Sequence, residues 1–297
     1  MIKHLVLSGG SNTGYVFFGI LRELIERGFF DMDNIETIYS TSVGTIVAVY
    51  LCLQYPLEDI EVFLVDRPWQ ELYKVDFHII VRAIQEGGMF SRDTLVKTLQ
   101  PMLLGKDIST EVSLQDFYQI TKKEIHFYTT EYTQLKLVDV SYKTHPHWKL
   151  IDAVYASSCL PLLFDPFFAD NHYYIDGGVL KNYPLYQCLQ DGHDPDTILG
   201  IYHDSNNKEN KELRMTTPFM NPSTSYRLIE YTWSFFMKLL TIVKHPHHED
   251  EKKVKCQIPA VCDCQPLRIL ESFESKEVRI NLIKCGNQTA KDWLNVN

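Results

Sequence analysis

The fold of this 297-residue chain is decided by two stretches near its start, Leu7-Ser8-Gly9-Gly10-Ser11-Asn12-Thr13-Gly14 and Ser40-Thr41-Ser42-Val43-Gly44. Each stretch follows a short apolar run, residues 5–7 and 35–39, of the kind typical of a buried strand. Each is followed by a segment in which apolar residues recur with helical spacing. The order strand, turn, helix, strand, turn, helix predicts the opening of a parallel α/β sheet with helices on both faces.

The two turns suit different chemical tasks. Gly9, Gly10 and Ser11 can direct successive backbone N–H groups at one anion, because glycine adopts dihedral angles that a Cβ forbids. Ser42 on a sharp strand-to-helix bend has an exposed hydroxyl at a helix N-terminus, where the helix dipole favours a developing negative charge. An oxyanion site and a serine nucleophile are the first two parts of a serine acyl hydrolase. Nucleotide-binding motifs do not fit, since they require a glycine at position 11 or a Gly-Lys-Ser/Thr sequence.

The composition limits the class of partner. The chain has 45% hydrophobic and 23% charged residues, which is ordinary for a globular protein, and a formal net charge of −9. Nucleic acid binding requires clusters of basic residues, so we expect no nucleic acid partner. A net negative charge does not exclude a membrane surface, because a local apolar or basic patch can bind it.

Cysteine usage and the N-terminus indicate the compartment. The seven cysteines are mostly scattered, and Met1-Ile2-Lys3-His4 leads directly into a strand without the features of a signal peptide. No run of about 20 apolar residues is present, so we expect no transmembrane helix. We therefore predict a reduced intracellular protein, cytoplasmic or bound peripherally to a membrane.

Downstream patterns extend the α/β interpretation. The spacing of apolar residues predicts helices over 16–25, 43–53, 57–66, 75–85, 92–104 and 149–158. Apolar runs and alternation predict strands over 125–131, 135–140, 173–175 and 197–202. We expect the first two of these strands to form a hairpin around Tyr132-Thr133-Gln134.

Four blocks of the sequence together resemble the patatin-like phospholipase family. The first two are the stretches quoted above, the first of them extended by Gly19-Ile20-Leu21. The other two are Ala156-Ser157-Ser158-Cys159-Leu160-Pro161 with Phe164, and Tyr174-Ile175-Asp176-Gly177-Gly178-Val179 with Asn182 and Pro184. Their order and spacing agree with the family from Ile2 to about Ile201, and the combination is far more specific than any one block.

The resemblance implies a fold, a reaction and a set of site residues. The fold is a three-layer α/β/α sandwich with a mostly parallel sheet over residues 1–203. The reaction is phospholipase A-type hydrolysis of fatty-acyl esters of phospholipids or related lipids, with no cofactor and no requirement for calcium. Ser42 is the nucleophile and Asp176 the base of a dyad without histidine, and an acyl-enzyme forms and is hydrolysed. The implied oxyanion hole is Gly9, Gly10 and Ser11, and the glycines supporting the motifs are Gly14, Gly44, Gly177 and Gly178.

The chain departs from the family pattern at three positions. Ser11 stands where the loop usually has its third glycine, Thr13 where a basic residue is common, and Ser40 where the bend usually begins with glycine. The nucleophile, the base and the backbone N–H groups are all retained, so we expect activity. A positive charge at position 13 that could assist the anion or bind a phosphate head group is missing.

Two other functions fit parts of the same pattern. A degenerate family member would keep the fold as a lipid-binding or interaction protein without catalysis. An α/β-hydrolase would combine Ser42 and Asp176 with a histidine, His193 or His203, in a triad. Against the triad, the serine follows the second strand rather than one deep in the sheet, and neither histidine lies in a supporting motif.

Residues 204–297 form a C-terminal extension that we expect to be mainly helical and to pack on or cover the catalytic domain. Within it, the segment from Tyr226 to Val243 is apolar nearly all round and too short to span a bilayer. It is predicted either to pack as a buried helix, or to lie at a membrane interface or cover the acyl groove. Nearby histidines and cysteines match no standard zinc spacing, so we expect no metal.

Overall fold

A computed structural model of the chain describes residues 1–204, 232 and 249–296. The strands are β1 (His4–Leu7), β2 (Thr37–Thr41), β3 (Gly88–Phe90), β4 (Glu124–Glu131), β5 (Lys136–Val140), β6 (Leu162–Phe164), β7 (Phe167–Ala169), β8 (His172–Asp176), β9 (Ile198–His203) and β10 (Gln257–Ala260). The helices are α1 (Thr13–Glu26), α2 (Val43–Cys52), α3 (Leu57–Asp66), α4 (Trp69–Leu72), α5 (Phe77–Glu86), α6 (Arg92–Leu104), α7 (Leu114–Thr121), α8 (Leu150–Ser158), α9 (Leu185–Gln190), α10 (Pro266–Glu274) and α11 (Lys276–Val296).

The central sheet is mixed and mostly parallel. Its strand order is β10–β9–β1–β2–β4–β8–β7, with β5 paired to β4, and β3 and β6 form a separate two-stranded sheet. The strands from β10 to β4 in this order run parallel, whereas β5, β7 and β8 pair antiparallel. The carboxyl ends of β1 and β2 therefore lie side by side, which brings together the two turns that follow them.

Buried residues of β1 alternate between the two faces of this sheet. Leu5 and Leu7 belong to the larger hydrophobic cluster, which contains α1 and α2. Val6 belongs to a smaller cluster on the other face, with Leu185 and Cys188 of α9. Helices thus cover both faces, and the predicted three-layer α/β/α fold is confirmed.

Local hydrogen bonds explain where the element boundaries differ from the predicted ones. The helix predicted over 75–85 begins at Phe77, because the Asp76 carboxylate accepts a hydrogen bond of 3.1 Å from the Ile79 N–H and caps the helix there.

The hairpin of β4 and β5 is confirmed. The apolar spacing does not predict α7, in which only Leu114 and Phe117 are fully buried.

The described part of the C-terminal extension joins the same sheet. β10 pairs parallel with β9 at the sheet edge. α11 packs along α1, where Gly19 and Gly286 allow the two backbones to approach closely. The division of the chain at residue 203 stays a prediction, and the apolar segment 226–243, apart from residue 232, lies outside the described residues. Among the helices that are described, none has the length and apolar character needed to cross a membrane.

Candidate active site

Ser42 lies in the bend between β2 and α2. Its backbone has φ 53° and ψ −129°, a conformation that residues with a Cβ rarely adopt and that is found mainly at functional sites. Two hydrogen bonds hold the bend: the Ser42 N–H donates to Ser157 Oγ at 3.0 Å, and the Ser157 hydroxyl donates to the Tyr128 carbonyl at 2.6 Å. The Ser42 side chain stays partly exposed at the N-terminus of α2.

The strand register brings Asp176 to the same place. Thr41 pairs with Tyr128 in the β2–β4 ladder, and the next residue of β4, Thr129, pairs with Asp176 of β8. Ser42, which follows Thr41, therefore lies next to the end of β8. There the Ser42 hydroxyl donates a hydrogen bond of 2.6 Å to Asp176 Oδ2.

The Asp176 carboxyl group is buried, with 2% of the residue exposed. Burial raises its pKa from 3.8 to about 6, against the opposing effect of the hydrogen bonds it accepts from Ser42 and from the Gly178 N–H. The bond from Gly178, 2.6 Å to Oδ1, also fixes the orientation of the carboxylate. With this pKa, Asp176 is a stronger base than an exposed aspartate and is still mainly ionised at neutral pH.

The glycine-rich loop lies directly against the serine. A Cβ on Gly9 would lie 2.9 Å from the Cβ of Ser42, so the loop can approach this closely only with glycine. The Gly9 N–H donates to the Asn182 carbonyl at 3.0 Å. Within the described part of the chain, the N–H groups of Gly10 and Ser11 have no acceptor. In this conformation Gly10 and Ser11 thus supply the free donors, and the oxyanion role of all three residues stays a prediction.

Gly44 allows the start of α2 to pack on the end of β1. A Cβ at this position would lie 2.7 Å from the Ser8 carbonyl oxygen. This contact sets the depth at which α2, and with it Ser42, lies above the sheet. The other motif glycines, which also have close neighbours, are Gly14, Gly177 and Gly178.

The positions that depart from the family pattern differ in their surroundings. Ser40 is buried in β2, and its hydroxyl has no hydrogen-bond partner among the described residues. Thr13 is buried at the start of α1, with its Oγ1 3.3 Å from Cys264 Sγ and 3.2 Å from His203 Nδ1. Thr13 thus connects the glycine-rich loop to the C-terminal segment, a contact that no motif in the sequence indicates.

The histidines of the alternative triad lie apart from the Ser42–Asp176 bond. His203 Nδ1 faces Thr13, as described above. His193 Nε2 lies 2.9 Å from the Tyr39 hydroxyl, and its ring stacks on His4 with the ring centroids 3.7 Å apart. Since the Ser42 hydroxyl donates directly to Asp176, no imidazole ring stands between the two groups.

A cavity of about 150 Å³ opens beside Ser42. Its lining is almost entirely apolar and comes mainly from α1, α2, α3, α4, α6 and α10, with further residues from β3, β6 and the end of α8. Val47, Leu64, Trp69 and Phe273 are among the contributing residues. An apolar cavity with Ser42 in its lining suits a hydrocarbon chain joined to a polar reacting group. The sequence motifs did not assign Phe273 or any other residue of α10 to the site.

Metal-binding side chains do not cluster in the described regions. No group of three or more His, Cys, Asp or Glu residues is arranged there to hold a metal ion. The expectation that the protein needs no cofactor stays a prediction.

Comparison with known proteins places the chain in a family. A protein named "Probable lipid hydrolase 463L", from Invertebrate iridescent virus 6, is 25% identical over 241 residues, which are 80% of this chain and 76% of that protein. "Uncharacterized protein R571" of Acanthamoeba polyphaga mimivirus is 28% identical over 221 residues, 74% of this chain and 72% of that protein.

The fold is also found among solved structures. The crystal structure of VipD from Legionella pneumophila matches with a TM-score of 0.55 at 18% identity, over 99% of this chain and 67% of that one. A sequence model described as "Patatin-like phospholipase" matches residues 5–189, which contain the glycine-rich loop, Ser42 and Asp176. The resemblance drawn from the four sequence blocks is thereby confirmed, and the chain belongs to the patatin-like phospholipase family.

Proposed function

We propose that this protein hydrolyses fatty-acyl esters of phospholipids or related lipids through a Ser42–Asp176 dyad. The observation that carries the proposal is the 2.6 Å hydrogen bond from the Ser42 hydroxyl to the buried Asp176 carboxylate, with Ser42 in the lining of an apolar cavity. The family and the relative named as a lipid hydrolase support lipid hydrolysis in general.

In the first step, Ser42 Oγ attacks the carbonyl carbon of the ester while its proton passes to Asp176 Oδ2. The carbonyl oxygen becomes an oxyanion, which accepts hydrogen bonds from the Gly10 and Ser11 N–H groups. One such donor typically stabilises the transition state by about 2.7–4 kcal/mol. The intermediate collapses, the proton on Asp176 passes to the leaving alcohol, and an acyl-enzyme remains.

In the second step, water takes the place of the alcohol. Asp176 accepts a proton from the water as its oxygen attacks the acyl carbon, and the same donors bind the second oxyanion. Collapse releases the fatty acid, and the proton returns from Asp176 to Ser42 Oγ. A base with its pKa near 6 suits both directions of transfer, because it accepts the proton in one half-step and donates it in the next.

Three observations support a catalytic dyad over the alternatives. The direct Ser42–Asp176 bond leaves no place for the histidine of a triad. The backbone conformation at Ser42 costs conformational free energy, and proteins retain such strain mainly at functional residues. This strain disfavours a binding module without catalysis. Lastly, the departures at Ser11 and Ser40 leave this geometry in place.

The chemistry as proposed uses protein groups alone. We therefore predict that a metal chelator leaves ester turnover unchanged, as measured by fatty acid release with and without EDTA. The control is the same assay after restoring excess calcium. Loss of turnover with EDTA and its recovery with calcium would contradict the proposed mechanism.

Turnover of a lipid panel tests the proposal. The panel contains phospholipids and neutral acylglycerols, and the proteins are the wild type, Ser42→Ala and Asp176→Asn. We expect the wild type to release fatty acid from at least one class and both variants to lose nearly all of that activity. Equal activity in all three proteins would end the proposal, and a folded wild type inactive on the whole panel would favour the lipid-binding module.

A further inference from the structure

Helix α10, in the C-terminal extension, contributes to the wall of the cavity beside Ser42. Ile269 and Phe273 are four residues apart, so they lie on the same face of the helix, and both line the cavity. Ile269 is almost completely buried. These two residues follow Ser42 by more than two hundred positions and belong to a segment beyond the family match, which ends at residue 189.

Phe273 completes an aromatic group in the cavity wall. Its ring stacks on that of Tyr73, with the centroids 4.1 Å apart and the planes 9° from parallel. Tyr73 in turn packs edge-on against Phe90, with the centroids 5.2 Å apart, and lies beside Trp69. All four rings line the same cavity. Phe273 therefore extends an aromatic surface whose other three rings lie within the family match.

The start of α10 is tied to the glycine-rich loop. The Asn12 side-chain amide donates to the Asp263 carbonyl at 3.1 Å, and the Cys264 thiol donates to the Gly10 carbonyl at 3.1 Å. The two contacts come immediately before the helix. These hydrogen bonds therefore fix the first turn of α10 relative to Gly10 and Ser11, the proposed oxyanion donors.

The end of α10 is tied to α3 by a buried arginine. Arg279 of α11 donates from Nε and Nη2 to the Val65 carbonyl, at 3.1 and 2.7 Å, and from Nη1 to the carbonyls of Ser272 and Phe273, both at 3.0 Å. Arg279 is only 3% exposed. With both ends fixed, α10 is a rigid wall, and the space it leaves for a hydrocarbon chain is limited.

We propose that Ile269 and Phe273 determine the acyl-chain length that the enzyme accepts; this inference rests on the proposed function, since it takes the cavity as the acyl site. Burying a methylene group favours binding by about fourfold. Methylene groups that reach a rigid wall gain nothing and force the surrounding side chains apart. In this proposal, residues of the C-terminal extension select the length of the acyl chain. Residues within the family match, Ser42 and Asp176, cleave the ester bond.

Two opposite substitutions test this assignment in the full-length protein. Phe273→Ala enlarges the cavity, and Phe273→Trp reduces it. The measured quantity is kcat/KM for p-nitrophenyl butyrate, octanoate and palmitate, expressed as the ratio of each longer ester to butyrate. We expect the Ala variant to raise the ratio for the longer esters by about fourfold per methylene newly accommodated, and the Trp variant to lower it. Glu274→Ala, an exposed position on the same helix, is the matched control and leaves the ratios unchanged.

The ratios separate this inference from the proposed function. A merely unstable variant would lose activity on all three esters in proportion, whereas the inference requires opposite changes in the two Phe273 variants. Wild-type turnover that depends on Ser42, with ratios unchanged in both variants, would overturn the role of α10 alone. Turnover that persists in Ser42→Ala would overturn the proposed function itself.

Discussion

In the proposed mechanism Asp176 accepts a proton from Ser42, and its burial makes it a strong enough base to do so. A free aspartate with a pKa of about 3.9 is a weak base for a serine hydroxyl. Burial at the end of β8 raises the pKa of Asp176 to about 6, and the hydrogen bonds from Ser42 and Gly178 hold the carboxylate in place. The same burial opposes the charged form in the folded state, so the residue has a measurable effect on stability as well as on rate.

The rate effect predicts the acid side of the pH profile. Asp176 must be ionised to accept the proton, so kcat/KM for an uncharged ester should fall about tenfold per pH unit below about pH 6. Fatty acid release across the acid range, corrected for hydrolysis without enzyme, measures this. A profile that stays flat down to the pKa of an ordinary aspartate would contradict the role of the buried carboxylate.

The stability effect predicts the behaviour of Asp176→Asn. Because the folded-state pKa is raised above the unfolded value, the protonated form stabilises the fold below about pH 4, and this contribution is lost as the pH rises through about 6. A shift of this size corresponds to about 3 kcal/mol. The free energy of unfolding of Asp176→Asn relative to wild type should therefore increase by about 2 kcal/mol between pH 4 and 7, since part of the effect is already present at pH 4.

Urea denaturation at several pH values measures this difference. The control is Asp107→Asn, which makes the same chemical change at an exposed carboxyl group. A difference between Asp176→Asn and wild type that is independent of pH would show that the carboxyl group is not destabilised by burial.

Among the elements, the α1–α11 pair holds the C-terminal extension against the part of the chain that matches the family, residues 5–189. α1 begins at the glycine-rich loop, and α11 carries the arginine that fixes α10. The two helices meet at glycines: a Cβ on Gly19 would collide with the Ile283 carbonyl oxygen, and one on Gly286 with the Val16 carbonyl oxygen. Backbone atoms cannot move aside as a flexible side chain can, so the helices would have to separate.

Gly286→Ala is therefore expected to destabilise the protein. The collision costs about 1–3 kcal/mol, and the better helix propensity of alanine recovers at most about 1 kcal/mol. Thermal unfolding should show a lower Tm than wild type. Cys285→Ala, an adjacent and exposed position on the same helix, is the control. A Tm for Gly286→Ala equal to that of the control would mean that the two helices are not closely packed.

Elements with a strong local signal could be predicted from the sequence. The residues of β4 and β5 alternate between apolar and polar types on either side of a turn, and α2 is nearly all apolar, so both could be predicted. The burial of β4 on both of its faces does not follow from that alternation. β10 could not be predicted in this way. It has four residues, one of them Pro259, which has no N–H to donate and is tolerated because this strand pairs only with β9 in the described structure.

In the whole molecule, the sequence could predict the paired catalytic candidates but not the contacts that the C-terminal extension makes with the site. Ser42 and Asp176 are 134 positions apart, and they could be paired because each lies in a family motif. Asn12 and Asp263 are 251 positions apart, and nothing in the sequence around Asp263 indicates a contact with the glycine-rich loop. Such contacts follow from how α10 and α11 pack, and packing of this kind leaves no local pattern.

In the proposed mechanism Ser42 is the nucleophile and Asp176 activates it. The most direct measurement is covalent labelling with a fluorophosphonate, which reacts with activated serines, followed by mass spectrometry of the intact protein and its peptides. We expect one adduct per wild-type chain, on the peptide that contains Ser42. We also expect no adduct in Ser42→Ala and much slower labelling of Asp176→Asn. Absence of labelling in folded wild type, or an adduct that persists in Ser42→Ala, would contradict the proposed mechanism.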